Sequence, residues 1–127
     1  MICYTDNMLN LNSLMVGSMK PTELAAFYEK VLGRPADMSE QDWYGWQVGG
    51  AFLGIGKHSE VAEKSPEPAR ILFNFETADV QSEFDRIKAC GAHVVKEPYD
   101  AGNSMMIATF EDPDGNFFQL MSPWEEK

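Results

Sequence analysis

Close to its C-terminus the chain reads Asp112-Pro113-Asp114-Gly115-Asn116-Phe117-Phe118-Gln119-Leu120, a tight turn feeding a half-buried strand with Gln119 in its middle. An amide at that place can orient a ligand by hydrogen bonds, but it lacks the charge with which a carboxylate holds a divalent metal. Other residues suited to chemistry are sparse. Asp112 and Asp114 lack the spaced acidic ligands and closing Glu of an EF-hand loop, so the run reads as a hairpin turn. Of the two histidines, His58 begins a polar linker and His93 starts a strand beside a loop, both suited to surface or partly satisfied imidazoles. No Gly-x-Ser-x-Gly nucleophile motif is present. Cys3 and Cys90 form neither a Cys-x-x-Cys pair nor a disulfide framework, and Cys90, where a helix meets its glycine stop, suits packing.

Composition narrows the partners. A chain of 127 residues with 44% hydrophobic residues has material for one core and one domain. Its formal net charge of −10 repels phosphate backbones and anionic membrane surfaces, so neither nucleic acid nor membrane is expected. The N-terminus lacks a basic region followed by an apolar run, and no stretch approaches the roughly 18 apolar residues of a membrane span, which points to a cytoplasmic protein.

The elements that must position these residues fall into two halves with one plan. Leu24, Phe27, Tyr28, Val31 and Leu32 recur at helical spacing between Pro21 and Gly33, which predicts a helix over 21–32. A strand at Leu11–Val16 precedes it. A short strand near Ala36–Met38 follows, then strands Trp43–Val48 and Ala51–Gly56 joined by Gly49-Gly50. The second half repeats the order: strand Arg70–Glu76, a helix capped by Asp79 with Val80, Phe84 and Ile87 on one face, strand Ala92–Lys96, and a hairpin of Ser104–Glu111 with Asn116–Ser122. Superposing the halves sets Gly33 over Gly91 and Phe52 over Phe118, offsets of about 58 and 66 residues that suit a duplicated unit. The units are placed at about 10–57 and 69–122, with 58–68 as a polar, proline-bearing linker.

The order of elements, Phe27-Tyr28 with Leu32-Gly33, Asp79-Val80 with Gly91-Ala92, and Asp112-Pro113-Asp114-Gly115-Asn116 before the last strand together resemble the vicinal oxygen chelate superfamily. That group includes glyoxalases, extradiol dioxygenases, bleomycin-resistance proteins and epimerases. The resemblance covers about residues 10–122. It implies an α+β fold of two tandem βαβββ units whose sheets make a curved, barrel-like trough with helices on the outside, and a homodimer whose troughs form within one chain or across two.

Metal-dependent members of the superfamily place a ligand on the first and last strand of each unit. Counting from the quoted motifs, the equivalent positions here are Ser13, or Asn12 with a one-residue slip, then Leu53, Arg70 and Gln119. Leu53 has no donor and Arg70 would bring a cation beside a cation. No metal and no other cofactor is therefore expected.

Alternation along strands sets Ser13 with Met15, Arg70 with Asn74, and Phe117 with Gln119 and Met121 on the trough face. Trp43 and Trp46 add aromatic surface near its mouth, either for ligand stacking or for a core or dimer contact. The expected ligand-binding set is Ser13, Met15, Trp43, Trp46, Leu53, Arg70, Asn74, Phe117, Gln119 and Met121. Arg70 in the trough would favour a carboxylate, phosphate or enolate, against the acidic balance of the whole chain. The function read from these residues is metal-free binding of a small organic molecule. A lyase, isomerase or dioxygenase with a metal or acid/base pair is the second reading. A dimeric structural or regulatory module, its trough filled by its own aromatics and some of its eight methionines, is the third.

Overall fold

The computed structural model describes residues 9–123. The expectation for Cys3 lies outside that range. The first unit comprises β1 (Ser13–Ser18), α1 (Pro21–Leu32), β2 (Met38–Glu40), β3 (Trp43–Val48) and β4 (Ala51–Lys57); the second comprises β5 (Phe73–Glu76), α2 (Val80–Ala89), β6 (His93–Asp100), β7 (Met106–Glu111) and β8 (Phe117–Met121). This is the twofold βαβββ plan read from the sequence. Helix α1 has Pro21 in its first turn and ends at Gly33, whose φ of +76° lets its N–H reach Glu29 O at 2.9 Å. Helix α2 starts where the Asp79 carboxylate accepts from Ser82 N at 3.0 Å.

Each unit folds into its own four-stranded sheet, ordered β1-β4-β3-β2 and β5-β8-β7-β6. In both, the first strand runs parallel to the last, and hairpins complete the rest. Several strands differ from expectation: β1, β2 and β7 each begin about two residues later than read, at Ser13, Met38 and Met106. β5 is shorter, because Arg70 belongs to a turn in which its N–H bonds Glu67 O. β6 is longer, and register shifts between Val94 and Lys96 and between Lys96 and Tyr99 carry it past Pro98, which an edge strand tolerates.

One core joins both units. Leu24, Tyr28 and Val31 of α1 and Phe84 and Ile87 of α2 pack with Trp46 and Ile55 of the first sheet and Phe110, Phe118 and Leu120 of the second. The rings of Phe27 and Tyr28 lie 5.9 and 5.7 Å from that of Phe118. Helix α1 also rests on β4. If the sheets ran on through β1 and β5 as a single sheet, β4 and β8 would stand three strand spacings, roughly 14 Å, apart. Contact of α1 with both therefore places the helices between the sheets. The uncovered faces of the two sheets look away from each other.

Candidate functional site

Register defines what each open face carries. On the first sheet it presents Ser13, Met15 and Gly17 from β1, Phe52, Gly54 and Gly56 from β4, Trp43, Gly45 and Gln47 from β3, and Met38 and Glu40 from β2. Glycines make the floor of this face: Phe52, Trp43 and Met15 lie over Gly45, Gly54 and Gly56, and His58 and Val61 lie over Gly17. A Cβ on Gly45 would overlap the Phe52 ring. One on Gly54 would overlap the Trp43 ring and come within 3.1 Å of Met15 Sδ. One on Gly56 would sit 2.6 Å from Met15 Cε and 3.1 Å from Trp43 Cε3. The Trp43 and Phe52 rings are close to parallel, at 27° with centroids 6.5 Å apart. Met15 remains 58% exposed above the glycines.

The open face of the second sheet is polar. Asn74, Gln119, Thr109 and Lys96 form one row across it, and Glu76, Met121, Ile107 and Tyr99 form the next. Gln119 Nε2 donates to Thr109 Oγ1 at 3.3 Å, and the Lys96 ammonium lies 4.3 Å from the centre of the Tyr99 ring. At the end of the strands His93 Nε2 stands 3.7 Å from Glu111 Oε1.

Ser13, Met15 and Trp43 thus share one face, and Asn74, Phe117, Gln119 and Met121 share the other; within one chain the two groups do not meet. Trp46 and Leu53 are corrections. Both point to the helix side, where Trp46 is 1% exposed and donates through Nε1 to Arg34 O at 3.0 Å, and where Leu53, its partner across β3 and β4, is also buried. Setting Leu53 against Gln119 put it one residue out of phase, and in a strand one residue exchanges the faces. Arg70 is the third correction: it precedes β5, is exposed, and directs Nε and Nη2 to Glu67 Oε2 at 2.9 and 2.6 Å. Phe52, Thr109, Lys96 and Tyr99 were not singled out from the sequence. The alternation Gly54-Ile55-Gly56 against Gly45 was the available signal for the floor.

The donors for a metal are poor. Among the described residues no three of His, Cys, Asp and Glu come together. The open faces supply the hydroxyls of Ser13 and Thr109, the amides of Asn74 and Gln119, the thioethers of Met15 and Met121 and the carboxylate of Glu76, with the His93–Glu111 pair, which has no third such ligand among the described residues, at the far end of β6 and β7. A catalytic zinc needs about three imidazole, thiolate or carboxylate ligands at 2.0 to 2.3 Å, and this set does not fit it.

The glyoxalase-like domain family matches residues 13–121. A glyoxalase/bleomycin resistance protein/dioxygenase family enzyme from Burkholderia phytofirmans superposes with a TM-score of 0.73 at 21% identity, covering 90% of this chain and 98% of its own. A glyoxalase/bleomycin resistance protein/dioxygenase from Nocardioides gives 0.78 at 16% identity, covering 97% and 89%, and a glyoxalase-related enzyme from Fulvimarina pelagi gives 0.76 at 14%, covering 91% and 89%. No curated protein matches the chain. At these identities the structural likeness speaks for the fold, whereas the family match spans both units from β1 to β8, and on that ground the chain belongs to the glyoxalase-like family.

Proposed function

We propose that this protein binds a small organic molecule without a metal, in a trough that two copies build together. The observation that carries the reading is the opposition of the two open faces. An aromatic and thioether face and an amide-bearing face sit on one chain but point apart, so a closed pocket containing both needs a second copy. The unpaired outer edges of β1 and β5, with Leu14 and Ile71 exposed nearby, supply the surface along which copies would meet. An apolar wall with a few amides opposite is the usual makeup of a small-molecule site.

Sedimentation of the full chain, paired with metal analysis of untagged protein purified without chelator, tests this. A dimer carrying substoichiometric metal, with no stabilisation by zinc, nickel, manganese or iron(II), is the expected result. One metal per chain with a saturable thermal shift would replace the reading with the metal-dependent lyase, isomerase or dioxygenase. A monomer at micromolar concentration would remove the shared trough.

A further inference from the structure

We propose that the glycine-floored face of the first sheet is a stacking platform for a planar aromatic cation, with Trp43 and Phe52 as the π surface and Glu40 as the counter-charge. The proposal rests on the trough reading for the ligand's enclosure but not for the platform itself. The platform is formed inside one unit of one chain.

Shape is the first argument. Side chains normally stand roughly perpendicular to a sheet, so a ligand meets their tips. Here the absence of Cβ atoms at Gly45, Gly54 and Gly56 lets the Phe52 and Trp43 rings and the Met15 thioether lie down on the backbone. Rings lying down expose faces, and a face is what a flat ligand stacks on. An ordinary residue at any of the three positions would lift a ring, so the flatness depends on the glycines.

Charge is the second argument. By register Glu40 lies opposite Trp43 and is the one acidic residue that the described strands place on this face, while the His58 side chain lies over Gly17 at the far end of the same row. The arginine expected to favour an anion is off the sheet and tied to Glu67. The lysine of the other open face already has its ammonium over Tyr99. A ring face attracts cations through its quadrupole, and a carboxylate beside it adds to that attraction. A chain with a formal charge of −10 adds long-range attraction of the same sign.

Two flat, two-ring probes of opposite charge make the test: N-methylquinolinium and 2-naphthalenesulfonate, titrated into the full chain by calorimetry at low and moderate salt. The expected result is saturable binding of the cation, about tenfold tighter than the anion. Trp43→Ala should weaken the cation about tenfold. Glu40→Gln, an exposed change that leaves the fold intact, should narrow the cation-to-anion ratio several-fold with little effect on the anion. Equal affinities, a preference for the anion, or a cation affinity unmoved by Trp43→Ala and Glu40→Gln would overturn the proposal. A dimer that binds neither probe overturns it too, and assigns the platform to self-filling by a second copy. A monomer that binds the cation through Trp43 sustains the platform while removing the shared trough.

Discussion

Tyr28 Oη donates to Asp112 Oδ2 at 2.7 Å, across 84 residues of sequence, and so fastens the helix of the first unit to the last turn of the second. Both residues are buried, and the carboxylate also accepts from Asp114 N and Asn116 N at 2.9 Å. Removing the hydroxyl leaves those bonds in place but strips one from a buried charge. Tyr28→Phe should lower stability by about 1 to 3 kcal/mol in urea unfolding, and Asp112→Ala should cost more, because it also unmakes the turn. Equal, small effects of both would show that the fastening is incidental.

Alkaline pH should act on the same contact. Burial, then the charge of Asp112, raises the Tyr28 pKa well above its ordinary 10.0. Folding thus favours the neutral phenol. Its contribution is fully present below pH 10, where unfolded Tyr is also neutral, and is lost as pH rises above that value toward the folded pKa. Stability of the native chain should fall more steeply above pH 10 than that of Tyr28→Phe, as read from melting temperatures at intervals between pH 9 and 11.

Asp114 makes the opposite kind of contribution at neutral pH. It is buried in the same turn, its Oδ1 has no hydrogen-bond partner among the described residues, and desolvation raises its pKa while Ser18, Lys20 and Lys64 partly offset that. A raised carboxyl stabilises fully below its unfolded value of 3.8, and that stability is lost as pH climbs through the folded value. Asp114→Asn should therefore hold or raise the melting temperature at pH 7, with the advantage shrinking toward pH 4. A variant less stable at pH 7 than at pH 4, relative to the native chain, would contradict this.

Arg86 joins the two helices. Nη1 and Nη2 donate to the terminal carbonyls of α1, Lys30 O at 2.8 Å and Val31 O at 2.6 Å, while Nε bonds Glu83. The planar fork satisfies two orphan acceptors where the helix dipole is negative. Arg86→Ala should cost about 1 to 2 kcal/mol, and Arg86→Lys should recover less than half of it in the same denaturation assay.

The two tryptophans on β3 should separate cleanly. Trp46→Ala removes a core side chain and should cost about 3 to 5 kcal/mol, while Trp43→Ala, on the open face, should cost about 1 kcal/mol or less. Comparable losses in thermal or urea unfolding would mean that the faces are assigned the wrong way round.

By itself the sequence determined the two helices, the order of the strands and the closing turn, because these rest on local signals: helical spacing in α1, an Asp cap on α2, Gly-Gly and Asp-Pro-Asp-Gly turns. Ser13 with Met15, and Phe117 with Gln119 and Met121, were legible as shared faces for the same reason, since alternation is a property of one strand. The phase of β4 was not, because a run such as Ala51-Phe52-Leu53-Gly54-Ile55 is apolar in both phases, and only pairing with β1 and β3 chose Leu53 and Ile55 for the core. Arg70 left the sheet because a turn bond to Glu67 O ended the strand before it, and its guanidinium then found the Glu67 carboxylate. The opposition of the two open faces was decided furthest from the sequence, by Phe27 and Tyr28 of one unit packing on Phe118 of the other. Hydrophobic burial is non-directional, so sequence pattern tells each unit to cover one face of its sheet, and only the packed tertiary core decides that both units cover those faces with each other.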